Sequence, residues 1–500
     1  MHDVSRRFDY LFRSTKGLIL VAIALISLET AFFGMLSGPL AEWGIRDFWV
    51  RTFGLRLIEA EREGRIILLY HTIAMAVVAI ETYLITALVP MKGHEQTTIN
   101  ATITFGYIIA MVSGLTFAYL GHDFVFHGLY LFGLSLVFFA GVLLAAALWP
   151  WRKEYRVKSD EYAHTRGGLD LERTAFFVMA VATLGSALFG AVTGSYWGRG
   201  HEAFLAEDLI REPHKTPLEL AIIGHLHIML TLIAVALALI IERWRDFKGP
   251  LHKVAMPLMI IGTLIITAGV WSVVPAEATA HIIINVGSGP VLVASLLLVY
   301  YSWRKQIQEG LAERKIERAP LWQKVKILFS DPLKFGALWQ MVYMNFTVTA
   351  IGIFMAVRLD KVIRVWPARE ERVALTGHWH ILSGIIATII LLYYADLAGL
   401  KGKLRQWFGW IVILGSDLAF GAVSLFETKR LYVSEAAQQP LVNWTMLLAD
   451  VGLASVLAVL GIFMVWRLID LFHQQGRWTQ ELAEVQRVPE PGTLGQEVLQ

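Results

Sequence analysis

Twelve runs of mostly apolar residues punctuate this sequence, and no other feature constrains its fold as strongly. They lie at residues 17–38, 65–90, 98–120, 127–149, 174–196, 217–241, 250–274, 279–302, 332–357, 375–395, 405–426 and 441–470. Each is close to the ~20 residues an α-helix needs to cross the hydrocarbon core of a bilayer. In lipid the backbone polar groups must be satisfied within a helix or a closed barrel, and no strand-like alternation runs through these stretches. The expected fold is therefore an all-α integral membrane bundle of twelve transmembrane helices. Charged residues make up 17% of the chain, against roughly a quarter in soluble domains. No polar linkers divide the 500 residues as they would in a soluble chain of this length. The expected organisation is a cytoplasmic segment 1–16, one membrane domain 17–472, and a polar tail 473–500 that carries Pro489 and Pro491 and is expected to be mobile.

The 44 Lys and Arg residues orient the chain. With the N-terminus inside, the larger share falls on the cytoplasmic side. That share includes Arg6, Arg7, Arg152, Lys153, Arg156, Lys158, Arg243, Arg245 and the basic stretch 304–326, as the positive-inside rule requires. The first run is too long for a signal peptide and lacks a small-residue cleavage site, so it is read as an uncleaved span. Segments 39–64, 303–330 and 358–374 are too polar to cross. They are expected along the membrane surface, with Trp43, Trp49 and Trp366 in the interfacial aromatic belt.

The chain has no cysteine. That excludes disulfides, thiolate-held iron–sulfur clusters, covalent c-type haem and Cys-ligated zinc or copper. The net charge of +3 gives no ground for a nucleic-acid partner. Any metal must be held by His, Met or carboxylate, which makes the fifteen histidines the inventory to read. His2, His94, His122, His127, His164, His201, His214, His252 and His473 are assigned to loops, where a solvated imidazole is the ordinary outcome. His71, His225, His227, His281, His378 and His380 fall within or at the ends of spans. All six lie in the first half of an even-numbered span, so an N-in topology puts them at one depth in the outer half of the bilayer. A single transmembrane His can simply hydrogen-bond a neighbouring helix. Six at one depth favour cofactor ligation. In His378-Trp379-His380 the two imidazoles are about 200° apart around a helix, so one helix can ligate two cofactors, one on each face. Haem iron takes axial His, and two haems flanking the tenth span is the direct reading. Glu29 and Glu81 are intramembrane carboxylates, suited equally to a proton relay or to an interhelical hydrogen bond.

Twelve spans, a His early in the second, and the stretch GHWHILSG (377–384) in the tenth resemble the catalytic subunit of the haem-copper oxidase superfamily. The stretch YHTIAMAVVAIETYLITALVP (70–90) is most similar to the nitric oxide reductase branch. The resemblance implies a bacterial-type cytoplasmic membrane location with the N-terminus inside. It implies His71 and His380 as axial ligands of a low-spin haem, His378 as proximal ligand of a second haem, both haems of b type, and Lys429 and Arg430 as partners of haem propionates. It also implies membrane lipid, a second redox subunit or a cytochrome c-type donor, and quinone as partners.

The family's non-haem metal takes one His from the sixth span and a His pair from the seventh. The sixth offers His225 or His227. The seventh ends IITAGVWSVVP (265–275) with no His, and Thr267, Ala268, Gly269 and Val270 stand where the pair belongs. None of these holds copper as imidazole does. Met229 occupies the position that is Tyr or Glu in relatives, and GSGP (287–290) lacks the Glu they carry before that proline. The small residues of the seventh span are expected to leave a gap filled by a side chain, a water, or the His225 or His227 imidazole. Glu277 and His281, at i,i+4, could combine with His225 into a two-His, one-carboxylate iron site. Three functions follow. The first is an electron-transfer subunit with two haems and no copper. The second is a divergent nitric oxide reductase, or less fittingly an oxygen reductase, with a rebuilt metal site. The third is a cofactor-free transporter.

Overall fold

The computed structural model describes residues 2–37, 39–58, 62–121, 123–157, 168–193, 217–363, 365–366 and 368–487. His122, His164, His201, His214 and the end of the tail lie outside the described residues. The helices are α1 His2–Arg13, α2 Thr15–Ser37, α3 Pro39–Glu42, α4 Ile45–Phe53, α5 Arg62–Leu88, α6 Gly93–Leu120, α7 Phe124–Ala147, α8 Leu171–Val192 and α9 Pro217–Trp244. They continue as α10 Pro250–Trp271, α11 Glu277–Glu313, α12 Leu321–Leu328, α13 Pro332–Tyr343, α14 Thr349–Arg358, α15 Ala368–Leu397, α16 Gly402–Thr428, α17 Glu435–Phe472 and α18 Arg477–Arg487. No strand occurs among the described residues. Among the described residues twelve helical stretches are long and apolar enough to span a membrane, and each overlaps one of the twelve expected runs. The chain is an all-α, multi-pass membrane protein. Large apolar side chains such as Phe139, Ile462 and Val465 point outward, which water would penalise and lipid does not.

The helices fall into two compact units. The first comprises Met1–Ile240, Thr263–Ile284 and Leu471–Gln500; the second comprises Ile241–Gly262 and Asn285–Asp470.

In the first unit α6 and α7 touch backbone to backbone. A Cβ at Gly133 would come within 2.5 Å of the Ala110 nitrogen and 2.8 Å of the Gly106 oxygen. Small residues drive such contacts because lipid supplies no hydrophobic force between helices. Polar side chains join α5 to α6: Tyr83 and Thr104 hydroxyls lie 2.6 Å apart, and Thr86 donates to Asn100 at 2.9 Å. Asp123 and Asp170 cap α7 and α8 by accepting backbone N–H groups, satisfying donors a helix start leaves open. Arg173 donates to the carbonyls of Pro90 and Ala147 while the Tyr155 ring covers its guanidinium at 3.6 Å.

The described part of the tail departs from expectation. Residues 477–487 form α18, whose Trp478 is 1% exposed and whose Glu481 accepts from the Tyr10 hydroxyl of α1 at 2.7 Å. An amphipathic segment that buries a Trp and pairs a carboxylate is ordered despite its polar composition.

In the second unit α13, α15 and α16 pack around a polar centre. Asp417 accepts from Trp339 and Gln340, each at 2.8 Å. Asp331 caps α13 ahead of Pro332 and receives a forked hydrogen bond from Arg405 at 2.7 and 2.9 Å. The ninth span is α13 continued through a π-turn at Met344–Val348 into α14, and Asn345 of that turn donates to Ser295 at 2.7 Å. Residues 358–374 do not form a separate surface helix: they hold a second π-turn, Leu359–Ile363, and the start of α15. His252, expected in a loop, lies inside α10, fully buried with Nε2 3.1 Å from Glu242 Oε1.

Candidate functional site

The first unit contains His71 on α5, His225 and His227 on α9, and Glu277 and His281 in the first turns of α11. The His71 and His225 rings face one another with centroids 6.3 Å apart and planes inclined by 15°. The His225 ring is held from α8. Its Nδ1 lies 3.1 Å from the Ser186 carbonyl oxygen. A carbonyl only accepts, so Nδ1 carries the proton and the neutral ring's lone pair is at Nε2. Ser186 is fully buried, and its hydroxyl accepts from the Trp271 indole at 3.2 Å. Gly190, one turn further along α8, supplies the space: a Cβ there would come within 2.6 Å of His225 Nδ1 and 2.7 Å of Nε2.

His227 is placed differently. Its Nδ1 is 2.7 Å from the Ile223 carbonyl of its own helix. The sequence left open which of the two α9 histidines would face a second haem; the structure sets the His225 ring against α8 and beside His71.

The small residues at 267–270, expected to leave space for a side chain, a water or an imidazole, meet a side chain: a Cβ at Gly269 would come within 2.9 Å of the Ile284 side chain. A Cβ at Gly269 would sit 3.0 Å from the Ile284 nitrogen, and Val270 is buried against Gly224, beside His225. Small residues here bring α10 close to α11 and α9. Nor do His225, Glu277 and His281 converge. Among the described residues they form no group of ligand atoms within 4.8 Å of one another.

Beside His71, Thr72 donates its hydroxyl to Glu29 of α2, and both residues are buried. Of the two uses left open for Glu29, the structure displays the interhelical hydrogen bond.

The second unit contains His378 and His380 on α15 and Lys429 and Arg430 in the short turn Lys429–Leu431 after α16. His378 is 8% exposed while His380 is exposed. The two imidazoles of one helix thus meet different surroundings, as their ~200° separation requires. Glu427 of α16 packs its carboxylate onto Gly377, next to His378, and is 2% exposed. Neither of its oxygens has a hydrogen-bond partner. The narrow cleft at Glu427, lined also by Met355, Ile363 and Trp366, has about 10 Å³ of open space, no more than one water needs. Lys429 is 5% exposed, with Nζ 3.4 Å from the Phe426 carbonyl and 4.5 Å from the Phe426 ring centre.

Sequence reading missed Glu427, Asp417 and the α8 cradle. The two carboxylates were open to notice as acids within an apolar run. Ser186 acts through its backbone carbonyl, which any residue supplies, so its role had no signal in the sequence.

No protein-family model, no curated protein and no solved structure matches this chain.

Proposed function

We propose that the chain is a haem-binding redox subunit with the bundle of the haem-copper oxidase superfamily, set in a prokaryotic cytoplasmic membrane with its N-terminus inside. It carries electrons through two b-type haems between a partner redox subunit or cytochrome c-type donor and the quinone pool, and the non-haem metal site of the superfamily is lost. The observation that carries this reading is the division of labour on α15, with His378 turned into the second unit and His380 exposed. A helix that needed one metal would place its ligands at i,i+3 or i,i+4.

The residues fit the group they would hold. His378 is a buried imidazole, and Lys429 and Arg430 follow α16, where cations offset propionate charge. Bound haem iron would supply reversible one-electron chemistry that no side chain here provides. The protein's part is to present the imidazoles, exclude water and balance charge. The gas-reductase alternative needs a second metal beside a haem, and the set proposed for it, His225, Glu277 and His281, does not converge.

The test is a pyridine haemochrome assay with metal analysis on the purified protein. The expected result is two haems per chain, no stoichiometric copper or non-haem iron, and no carbon monoxide binding on reduction. Absence of haem overturns the reading. Haem with stoichiometric copper or non-haem iron and strong carbon monoxide binding transfers the assignment to gas reduction.

A further inference from the structure

We propose that a cleft on the second unit binds one anionic phospholipid, with Arg314 and Lys326 on its phosphate and its acyl chains lying along α16. The site requires a chain that spans a membrane and is independent of haem.

The cleft has about 590 Å³ of open space. Its walls come from two connections, the one between the eighth and ninth spans and the start of α16 after the tenth. Two crossings separate these connections, so both emerge on one face of the membrane. On the orientation proposed above that face is cytoplasmic, the side whose leaflet carries anionic lipid.

The short helix α12 forms one wall. Trp322, Val325, Lys326 and Phe329 stand at i, i+3, i+4 and i+7, which is one face of a helix, and all four are exposed. The other face packs on α11: Ile327 is buried, and a Cβ at Gly310 would overlap its side chain. Rings turned outward beside a cation are the pattern of a helix lying in the membrane interface. The walls are tied together before any ligand arrives. Gln306 of α11 donates to the Leu328 carbonyl at 2.9 Å, and Gln406 of α16 donates to the Ser330 carbonyl at 2.6 Å. The Phe329 ring stands edge-on to Trp410 at 5.7 Å and to the buried Phe335 at 4.7 Å, giving an aromatic floor.

Charge identifies the occupant. Residues 304–326 carry seven Lys and Arg against three Glu. No carboxylate lines the cleft among the described residues. The side chains of Arg314 and Lys326 make no ion pair or hydrogen bond there. A guanidinium offers phosphate a fork and an ammonium adds a point charge, and basic pockets between transmembrane helices hold lipid headgroups. The apolar side separates a lipid from a soluble anion. Trp407 and Leu414, three residues before and four after Trp410, are exposed along the span. They continue the aromatic floor into the bilayer, as acyl chains need. Free phosphate or an acidic peptide would leave that track bare.

The experiment titrates full-length protein in detergent with phosphatidylglycerol and phosphatidylcholine and counts bound lipid by native mass spectrometry. One phosphatidylglycerol per chain should be retained against excess phosphatidylcholine. Arg314→Gln combined with Lys326→Gln should weaken it about tenfold. Arg318→Gln combined with Lys324→Gln removes the same charge outside the cleft and should leave it unchanged. Trp322→Ala should weaken it by a smaller factor. These side chains are exposed, so unfolding temperatures in the same detergent should hold, which separates lost lipid from lost fold. Competition on the unmodified protein tests the site without any variant. Free exchange of phosphatidylglycerol for phosphatidylcholine overturns the assignment, as does equal loss in the two double variants. Displacement by equimolar inorganic phosphate makes the cleft a plain anion site and also overturns it. A polyglutamate peptide that binds in place of phosphatidylglycerol, and is lost in the Arg314 and Lys326 variant, transfers the cleft to an acidic protein partner. None of these readouts depends on haem content, so the site and the haem reading stand or fall separately.

Discussion

The two units use histidine in opposite ways. In the first, imidazoles from two helices, α5 and α9, turn toward each other, and a third helix, α8, holds one of them by a carbonyl and a missing side chain. In the second, two imidazoles from one helix turn apart, and the acid and cations come from the end of α16. Divergence on a helix is dictated by its 3.6-residue period. Convergence between helices depends on where tertiary packing sets them.

The largest expected effect tests the divergent pair. His378→Ala and His380→Ala should each abolish a haem signal, and the two signals should differ. Identical spectral losses would show one cofactor on α15 and erase the contrast between the units.

Next come the glycines that seat each site. Gly190→Ala forces a methyl against an anchored imidazole and should cost about 1–3 kcal/mol, the usual penalty for overpacking. Gly377→Ala drives a methyl against the Glu427 carboxylate, the far end of a flexible chain that can swing away. Its cost should be smaller. Thermal unfolding of the two variants in the same detergent checks the order, and an equal or reversed order would show that the α8 cradle is not the more rigid of the two.

What the sequence made legible follows the same division. The twelve spans could be read because a hydrophobic length is a local property. The opposed surroundings of His378 and His380 could be read because helical period is local too. The anchoring of His225 on α8 could not, because both α9 histidines sit on one apolar helix and the Ser186 carbonyl that holds His225 belongs to another. The space at Gly269 and Val270 was legible, but not which of a side chain, a water or an imidazole fills it, because the filler, Ile284, comes from a neighbouring helix. Residues 477–487 were misread because a short helix with one Trp is polar on average, while its order comes from Trp478 and Glu481 docking on α1.

A third comparison concerns charge at the helix ends. Arg405 in the second unit reaches Asp331 through two nitrogens, in the forked geometry that gives guanidinium–carboxylate pairs their strength. It also holds the cap of α13. Arg405→Ala should cost about 1.5–3 kcal/mol, the range for hydrogen bonds to charged groups. Arg405→Lys should recover only part of that, because a point charge cannot reproduce the fork.

The smallest effect is expected at the first unit's counterpart, Arg152 with Glu95. One guanidinium nitrogen lies 2.7 Å from the carboxylate, and the side chains are 29% and 17% exposed. The same nitrogen is 3.8 Å from Glu154, which competes for it. The hydrogen bond to Glu95 raises the Arg152 pKa above its ordinary value, so the guanidinium stays charged at every pH the folded protein meets, and the pair acquires no pH dependence from this side. Solvent screens partly exposed pairs, and their net worth is about 0–1 kcal/mol. Arg152→Ala should therefore shift the unfolding temperature little at low salt, and the shift should shrink in high salt as the Debye length falls to about 3 Å at 1 M. A loss as large as that of Arg405→Ala, undiminished by salt, would mean that a single-point contact in the first unit is as strong as the forked one in the second, and would remove the distinction between them.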